Sequence, residues 1–418
     1  MLISNLSLDT TNKVVIVAAD VAFKGSKSER MQFSTNSRNA SLISSSYAPF
    51  LAAVLLPCMK TGEDITIKGI VSKKLLANAE KIMDLVIGWN VGFKRIKIDT
   101  SSKSVNHNTG RFNKADKTEI GSFFSGGVDS FYTYLKHKST KDSITNLILV
   151  HGFDIPLSSK NLYMKTKKTV EKIAKEEKIN SIFVETNAGE IVEKKLIWDF
   201  AHGGALAAVG LFLSNGLAKV FIPAGLQKND LFPYGTHPEL DKLWSTETVS
   251  FSHDGTEYDR LGKIINSISK SPLALKYLRV CSQNLKGKYN CSRCYKCLQT
   301  MIGLVCAGTL QNARTFGKLD IREVSNMYYD YASRYNLQGE ASLSVLRGQK
   351  REFELQKAIK KSLEDSKKPQ FKRKLFQAVA SLDQRFINRK LYRYVFRLND
   401  KQDRNLLFKT LGKLGVLK

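Results

Sequence analysis

Two groups of residues stand out by type and spacing. The first is Phe123-Phe124-Ser125-Gly126-Gly127-Val128-Asp129-Ser130. Its two glycines remove side chains from a turn, so backbone N–H groups can close on an anion such as phosphate. Ser125 and Ser130 add hydroxyl donors. Asp129 is an odd neighbour for phosphate unless it holds Mg²⁺ or caps the turn. These residues are also ordinary turn-formers, so a plain turn is the alternative. The second group is Cys281, Cys291, Cys294 and Cys297, four of the chain's six cysteines. Four soft thiolates at tight spacing suit tetrahedral Zn²⁺, with an iron–sulfur cluster as the rival and four reduced buried thiols as the plain alternative. Lys286, Lys288, Arg293 and Lys296 stand around them and would offset a negative site.

The phosphate-type loop needs a strand before it and a helix after it. Ile120–Phe124 is an apolar run of strand length, and a helix opens by Phe131–Lys136. The helix start supplies unsatisfied N–H groups. Strands follow at Ile144–His151, Ile182–Glu185 and Val220–Ala224, separated by helices at Tyr163–Lys178 and Ile197–Leu213. This alternation predicts a parallel sheet with crossovers, which binds ligands at the carboxyl ends of its strands. Upstream, Val14–Phe23, Ile65–Ile70 and Phe93–Ile98 read as strands, and Tyr47–Met59 and Ser72–Trp89 as helices. The polar residues 100–118 read as a linker. After Thr309 the pattern is helical, with Phe353–Leu363, Phe371–Leu382 and Asn388–Leu398 at helical spacing. Three regions are expected: an N-terminal α+β domain over 1–115, a nucleotide-type α/β domain over 116–310 with the cysteines, and a basic helical region over 311–418.

Ser125–Ser130 resembles the Ser-Gly-Gly-x-Asp-Ser loop of the N-type ATP pyrophosphatases, the PP-loop superfamily. The resemblance implies a Rossmann-like sheet and cleavage of ATP between the α and β phosphates. It implies that Ser125, Gly126, Gly127, Asp129 and Ser130 hold the phosphates and Mg²⁺, with Val128 inside the loop. Ser125, Asp129 and Ser130 take the catalytic places, and Val150-His151-Gly152 would line adenine. The cysteine run resembles the structural zinc site of 7-cyano-7-deazaguanine synthase, a member of that superfamily. Gly225 and Asp230 resemble that enzyme too, but Thr236-His237-Pro238-Glu239 replaces its substrate-facing Gly-Tyr-Pro-Asp stretch, which leaves the deazaguanine open. The likeness covers residues 118–305. It implies an AMP-forming ligase that adenylates a carboxylate or carbonyl oxygen for attack by a nitrogen nucleophile. Extra flanking regions fit a specialised relative, such as one serving anti-phage defence. The alternatives are a tRNA- or nucleic-acid-modifying enzyme and a nucleotide-binding assembly module.

The chain has 418 residues and a formal charge of +28. That surplus favours anionic partners. Residues 341–418 carry 21 basic and 7 acidic residues, so nucleic acid or an acidic protein could meet this segment. A solvated helical surface is the bland alternative. The acceptor is a small molecule or a macromolecule, and an oligomer stays open. Val14–Ala19 is too short for a secretory signal, and Gly203–Leu226 is broken by Asn215-Gly216 and Lys219. No membrane span and a cytoplasmic location are therefore expected.

His237, His253, Asp241, Asp254 and Glu257 form a polar stretch that either binds substrate or is a solvated loop. Arg260 and Lys263 could reach phosphate, but a surface helix face is the stronger reading. The glycines of His202-Gly203-Gly204 read as packing residues. Cys58 and Cys306 read as core thiols.

Overall fold

Asn146–His151 is buried at every position, as a strand covered on both faces must be. Val14–Ala22 instead buries Val15, Val17, Ala19 and Val21 in alternation. These strands belong to one sheet. The computed structural model describes residues 1–100, 119–283, 288–329 and 337–367. The linker over 101–118, the helices expected over 371–382 and 388–398, and Lys286 lie outside the described residues. The chain divides into two units, 1–278 and 279–418.

The first unit contains strands β1 (Leu2–Thr10), β2 (Val14–Ala22), β3 (Glu29–Asn36), β4 (Ile65–Ile67), β5 (Ile98–Thr100), β6 (Glu119–Phe123), β7 (Asn146–His151), β8 (Asn180–Thr186), β9 (Leu217–Pro223) and β10 (Ser250–Asp254). Their order across the ten-stranded sheet is β10-β9-β6-β7-β8-β3-β2-β1-β4-β5. The run β10-β9-β6-β7-β8 is parallel throughout. β3 joins β8 antiparallel, as β2 joins β3 and β1 joins β2, while β1, β4 and β5 pair in parallel. The fold is thus α/β with a mostly parallel, Rossmann-like sheet.

The helices of this unit are α1 (Ala48–Thr61), α2 (Lys73–Gly88), α3 (Val128–His137), α4 (Lys160–Glu177), α5 (Ala188–Val192), α6 (Trp198–Phe212), α7 (Pro238–Asp241), α8 (Arg260–Asn266) and α9 (Pro272–Tyr277). Helices cover both sheet faces. Phe251 of β10 lies close against Gly210 of α6. Asp254, three residues on and so on the opposite face, bonds to Lys136 and His137 of α3. From β6 the chain crosses by α3 to β7 on one side. From β8 it returns by α6 to β9 on the other side of β6. The carboxyl end of β6 is therefore a topological switch point, where such sheets open a crevice for ligands.

Residues 1–100 do not form a separate layer from the parallel half of the sheet. Phe33 of β3 packs 5.6 Å from Phe50 of α1 and 5.9 Å from Phe212 of α6, centroid to centroid. The seam itself is narrow: only Phe33↔Thr186 and Ser34↔Glu185 pair. Beyond them, side chains replace the ladder. Thr35 Oγ1 donates to the Phe183 carbonyl at 2.8 Å, and Arg38 Nη2 to the Ser181 carbonyl at 3.2 Å. A shared core thus overrides the boundary expected near residue 115. Phe93–Ile98 also departs from its strand reading. Phe93 and Ile96 are buried as core anchors, and pairing begins only at Ile98.

The described part of the second unit holds the cysteines and helices α10 (Tyr295–Cys306), α11 (Ile321–Ser325), α12 (Leu337–Gly348) and α13 (Phe353–Lys367). Arg351 Nη2 donates to the Val305 and Cys306 carbonyls at 3.0 and 2.9 Å, which caps α10. On α13, Leu355, Ile359 and Leu363 are buried on one face. On its outer face Lys360 and Lys361 pair with Glu364 and Asp365. The unit therefore begins at Arg279 and takes the cysteines with the helices, rather than starting at residue 311.

Candidate functional site

The glycine loop leaves β6 at the switch point. Phe124 N–H still donates to the Ile148 carbonyl at 2.7 Å, so the chain is held to β7 until the loop begins. Gly126 has φ of 77°, a left-handed conformation that a side chain would strain. Gly127 then caps α3 with no side-chain hydrogen bond to the helix's first turn, so the first N–H groups of this ten-residue helix keep no side-chain acceptor. Ser130 Oγ donates back to the Gly127 carbonyl at 3.0 Å and fixes the loop's exit. Among the described residues the Ser125 hydroxyl makes no hydrogen bond.

Asp129 sits between two cations. Lys263 Nζ donates to its Oδ1 at 2.9 Å, and Arg260 Nη1 to its Oδ2 at 3.3 Å. Lys263 is not on a surface face: its side chain is 1% exposed. It also donates to the Ala224 carbonyl at 2.5 Å, just past β9, and lies 5.6 Å from the Tyr132 ring centroid. Arg260 keeps its buried Nε without a partner among the described residues. Arg260 and Lys263 thus bring two positive charges to the phosphate-type loop. The sequence hint was their i, i+3 spacing behind the Asp259 N-cap, which accepts from Gly262 N–H at 2.7 Å. Their acidic partner lies more than 130 residues away in sequence, where spacing carries no signal.

Val150 and His151 end β7, next to the loop's strand. Both are buried. His151 Nδ1 lies 2.8 Å from Glu185 Oε2 and Nε2 lies 3.1 Å from the Pro156 carbonyl. Its ring stacks on Tyr163 at 4.0 Å. The imidazole is therefore committed to structure.

The polar stretch after β9 divides between the two faces. Towards α3, Asp254 meets Lys136 Nζ at 2.9 Å and His137 Nε2 at 3.0 Å, and Lys136 also pairs with Glu257. Burial alone would raise Asp254, but the hydrogen bonds from His137 and Lys136 outweigh it and hold the carboxyl below its usual range. Towards α6, His253 Nδ1 lies 2.7 Å from Asp241 Oδ2. His237 caps α7 by accepting Glu239 N–H at Nδ1, 3.2 Å away, and its own N–H donates to Asp241 Oδ1 at 3.3 Å. His202 meets the Trp198 carbonyl and Thr236 Oγ1 at 3.0 and 3.3 Å. Burial pushes His202 and His237 below the usual imidazole range. The Thr236–Glu239 stretch is laid directly on α6: a Cβ added to Gly203 would sit 1.7 Å from the Gly235 carbonyl. Gly204 makes the same kind of approach to Ala52 of α1, at 2.5 Å. Both glycines are packing residues.

In the second unit, the Sγ atoms of Cys281, Cys291, Cys294 and Cys297 all lie within 4.8 Å of one another, and all four residues are buried. Cys291 and Cys297 are 3.9 Å apart, and Cys281 and Cys294 are 4.0 Å apart. Tetrahedral Zn–S bonds of about 2.3 Å place sulfurs about 3.8 Å apart, so the spacing fits such an ion. Cys294 N–H donates to Cys291 Sγ at 3.2 Å. Ser292 takes a left-handed φ of 57° to make this knuckle. Asn290 Oδ1 accepts from the N–H groups of Val280 and Cys281 at 2.9 and 3.2 Å, tying the first cysteine to the other three. Contacts from Cys291, Cys294 and Cys297 hold the Cys281 thiol low, and those from Cys281, Cys291 and Cys294 push Cys297 up. Cys58 and Cys306 lie apart from them. Burial pushes the Cys58 thiol up and Cys306 up to about 11, which marks both as unreactive core thiols.

No family model, no curated protein and no solved structure matches this chain.

Proposed function

We propose that the protein is an ATP-dependent, AMP-forming synthase of the PP-loop type, with zinc as a structural ion at its four cysteines. The observation that carries this reading is Ser-Gly-Gly-Val-Asp-Ser at a topological switch point, with Gly126 left-handed and α3 opening behind it. Backbone N–H groups of the loop and of α3 hold the β and γ phosphates. Ser125 supplies a hydroxyl donor. Lys263 and Arg260 set positive charge beside pyrophosphate as it leaves, and Asp129 orients both. Mg²⁺ bound to the incoming ATP would supply charge neutralisation at the phosphoryl oxygens. The substrate oxygen attacks the α phosphorus, pyrophosphate departs, and a nitrogen nucleophile then displaces AMP. No protein nucleophile is required.

Ser125 is the residue on which to test this, because its hydroxyl holds nothing else in place. Pyrophosphate release from MgATP is to be measured with a 7-deazaguanine carboxylate plus ammonium, with tRNA and with candidate partner proteins. One of these acceptors should elicit release, and Ser125→Ala should slow it by about 10²-fold, the scale of one lost donor to developing charge, with unchanged melting. Full activity in the variant, or no release with any acceptor, would sink the reading.

A further inference from the structure

The His253 imidazole and the backbone of His237 close on one carboxylate on the α6 side of the sheet's carboxyl edge. That carboxylate, Asp241, is wholly buried. Its Oδ1 accepts from the backbone N–H of His237, and its Oδ2 faces His253 Nδ1. The His253 side chain is 3% exposed, and its Nε2 is buried with no hydrogen-bond partner among the described residues. Such an orphan costs about 1–3 kcal/mol, so a folded chain that keeps one calls for a reason. A carboxylate at Nδ1 selects the tautomer with the proton on Nδ1, which leaves Nε2 as a bare acceptor. His253 is level with Ile222 of β9, two residues before Ala224, whose carbonyl holds the loop lysine Lys263. The dyad therefore lies at the same strand ends as the phosphate loop. Neither its carboxylate nor its imidazole is needed to bind phosphate.

Resting on the synthase reading, we infer that His253, oriented by Asp241, accepts the proton of the nitrogen nucleophile that displaces AMP. The nitrogen of ammonia bonds to the activated carbon, and the carbon–oxygen bond to AMP breaks. AMP keeps the electron pair. One N–H proton passes to His253 Nε2, leaving an imidazolium paired with Asp241. Asp241 acts through His253 as a positioning residue. Adenylation needs no base on the nitrogen, so the dyad should affect only the second half of the reaction.

Two measurements on the full chain test this. In the first, His253→Gln and Asp241→Asn are assayed with MgATP, a 7-deazaguanine carboxylate and either ammonium or hydroxylamine. In a single turnover with enzyme in excess, pyrophosphate release should stay within about threefold of wild type, while amide formation from ammonium falls about 10²-fold, the lower range for a general base. Hydroxylamine, a weaker base whose adduct sheds its proton to water, should restore product. Equal loss of both halves, or unimpaired amide formation, overturns the proposal. Absence of pyrophosphate release in wild type with every acceptor instead overturns the synthase reading, and this inference with it. The second measurement needs no variant activity. Nitrogen-15 spectra of the imidazoles, with His253 assigned by its loss in His253→Gln, should show the neutral ring protonated on Nδ1 and bare on Nε2. A neutral ring protonated on Nε2 would overturn the proposal even if synthase activity is found.

Discussion

Asp129 illustrates how one side chain can serve both a site and the fold. Lys263 is buried, and among the described residues its carboxylate partner is Asp129, which also pairs with Arg260. Removing Asp129 leaves an ammonium beside the Ala224 carbonyl and the Arg260 guanidinium. Asp129→Asn should therefore destabilise the protein by about 3 kcal/mol, the range for breaking a buried pair from one side. Lys263→Met should cost a similar amount, and the double variant should cost at least about 1 kcal/mol less than the sum. Urea unfolding of the four proteins measures this, and strict additivity would refute the coupling. The loop itself was legible because its six residues are consecutive. Its two cations were not, since Arg260 and Lys263 reach Asp129 only once β9 and β10 have closed on β6.

Elements were legible where apolar residues run on or recur at a regular spacing, and lost where few residues are apolar. The apolar runs Leu147–Val150 and Ala205–Phe212 announce β7 and α6. The pattern assigned no strand to β1, β3 or β10. β1 breaks its alternation at a bulge near Asn5, whose φ is 51°. β3 offers only Met31 and Phe33 as large apolar residues, and β10 only Phe251. Each is a strand because neighbours pair with it, which is tertiary information. Helix contact was equally hidden until the glycines met their partners. A Cβ at Gly204 would press on the backbone of Ala52, which cannot swing aside, whereas one at Gly225 meets nothing within 4 Å. Gly204→Ala should cost about 1–3 kcal/mol. Gly225→Ala should stay within about 0.5 kcal/mol of wild type. Denaturation midpoints compare them, and equal effects would refute the close approach of α1 and α6.

At the scale of the whole molecule, the chain's division after Leu278 assigns the cysteines to the helical unit. A structural ion there contributes folding energy to that unit alone. Elemental analysis should find one zinc per chain. A strong chelator should lower the melting of the helical unit and leave a second transition, that of the sheet, in place. A metal-free chain whose calorimetric trace ignores the chelator would count against the ion. The seam between β3 and β8 has a different kind of consequence, one in time. β3 ends at Asn36, and its partner β8 begins at Asn180. A ribosome adding about 5–20 residues per second needs about 7–30 s to bridge that gap. Throughout it, the nascent N-terminal strands hold Met31 and Phe33 beside an unpaired edge, a template for any other extended chain nearby. The part of the molecule made first is the part that must wait, and Phe33–Ser34 is where newborn copies are most open to pairing with one another.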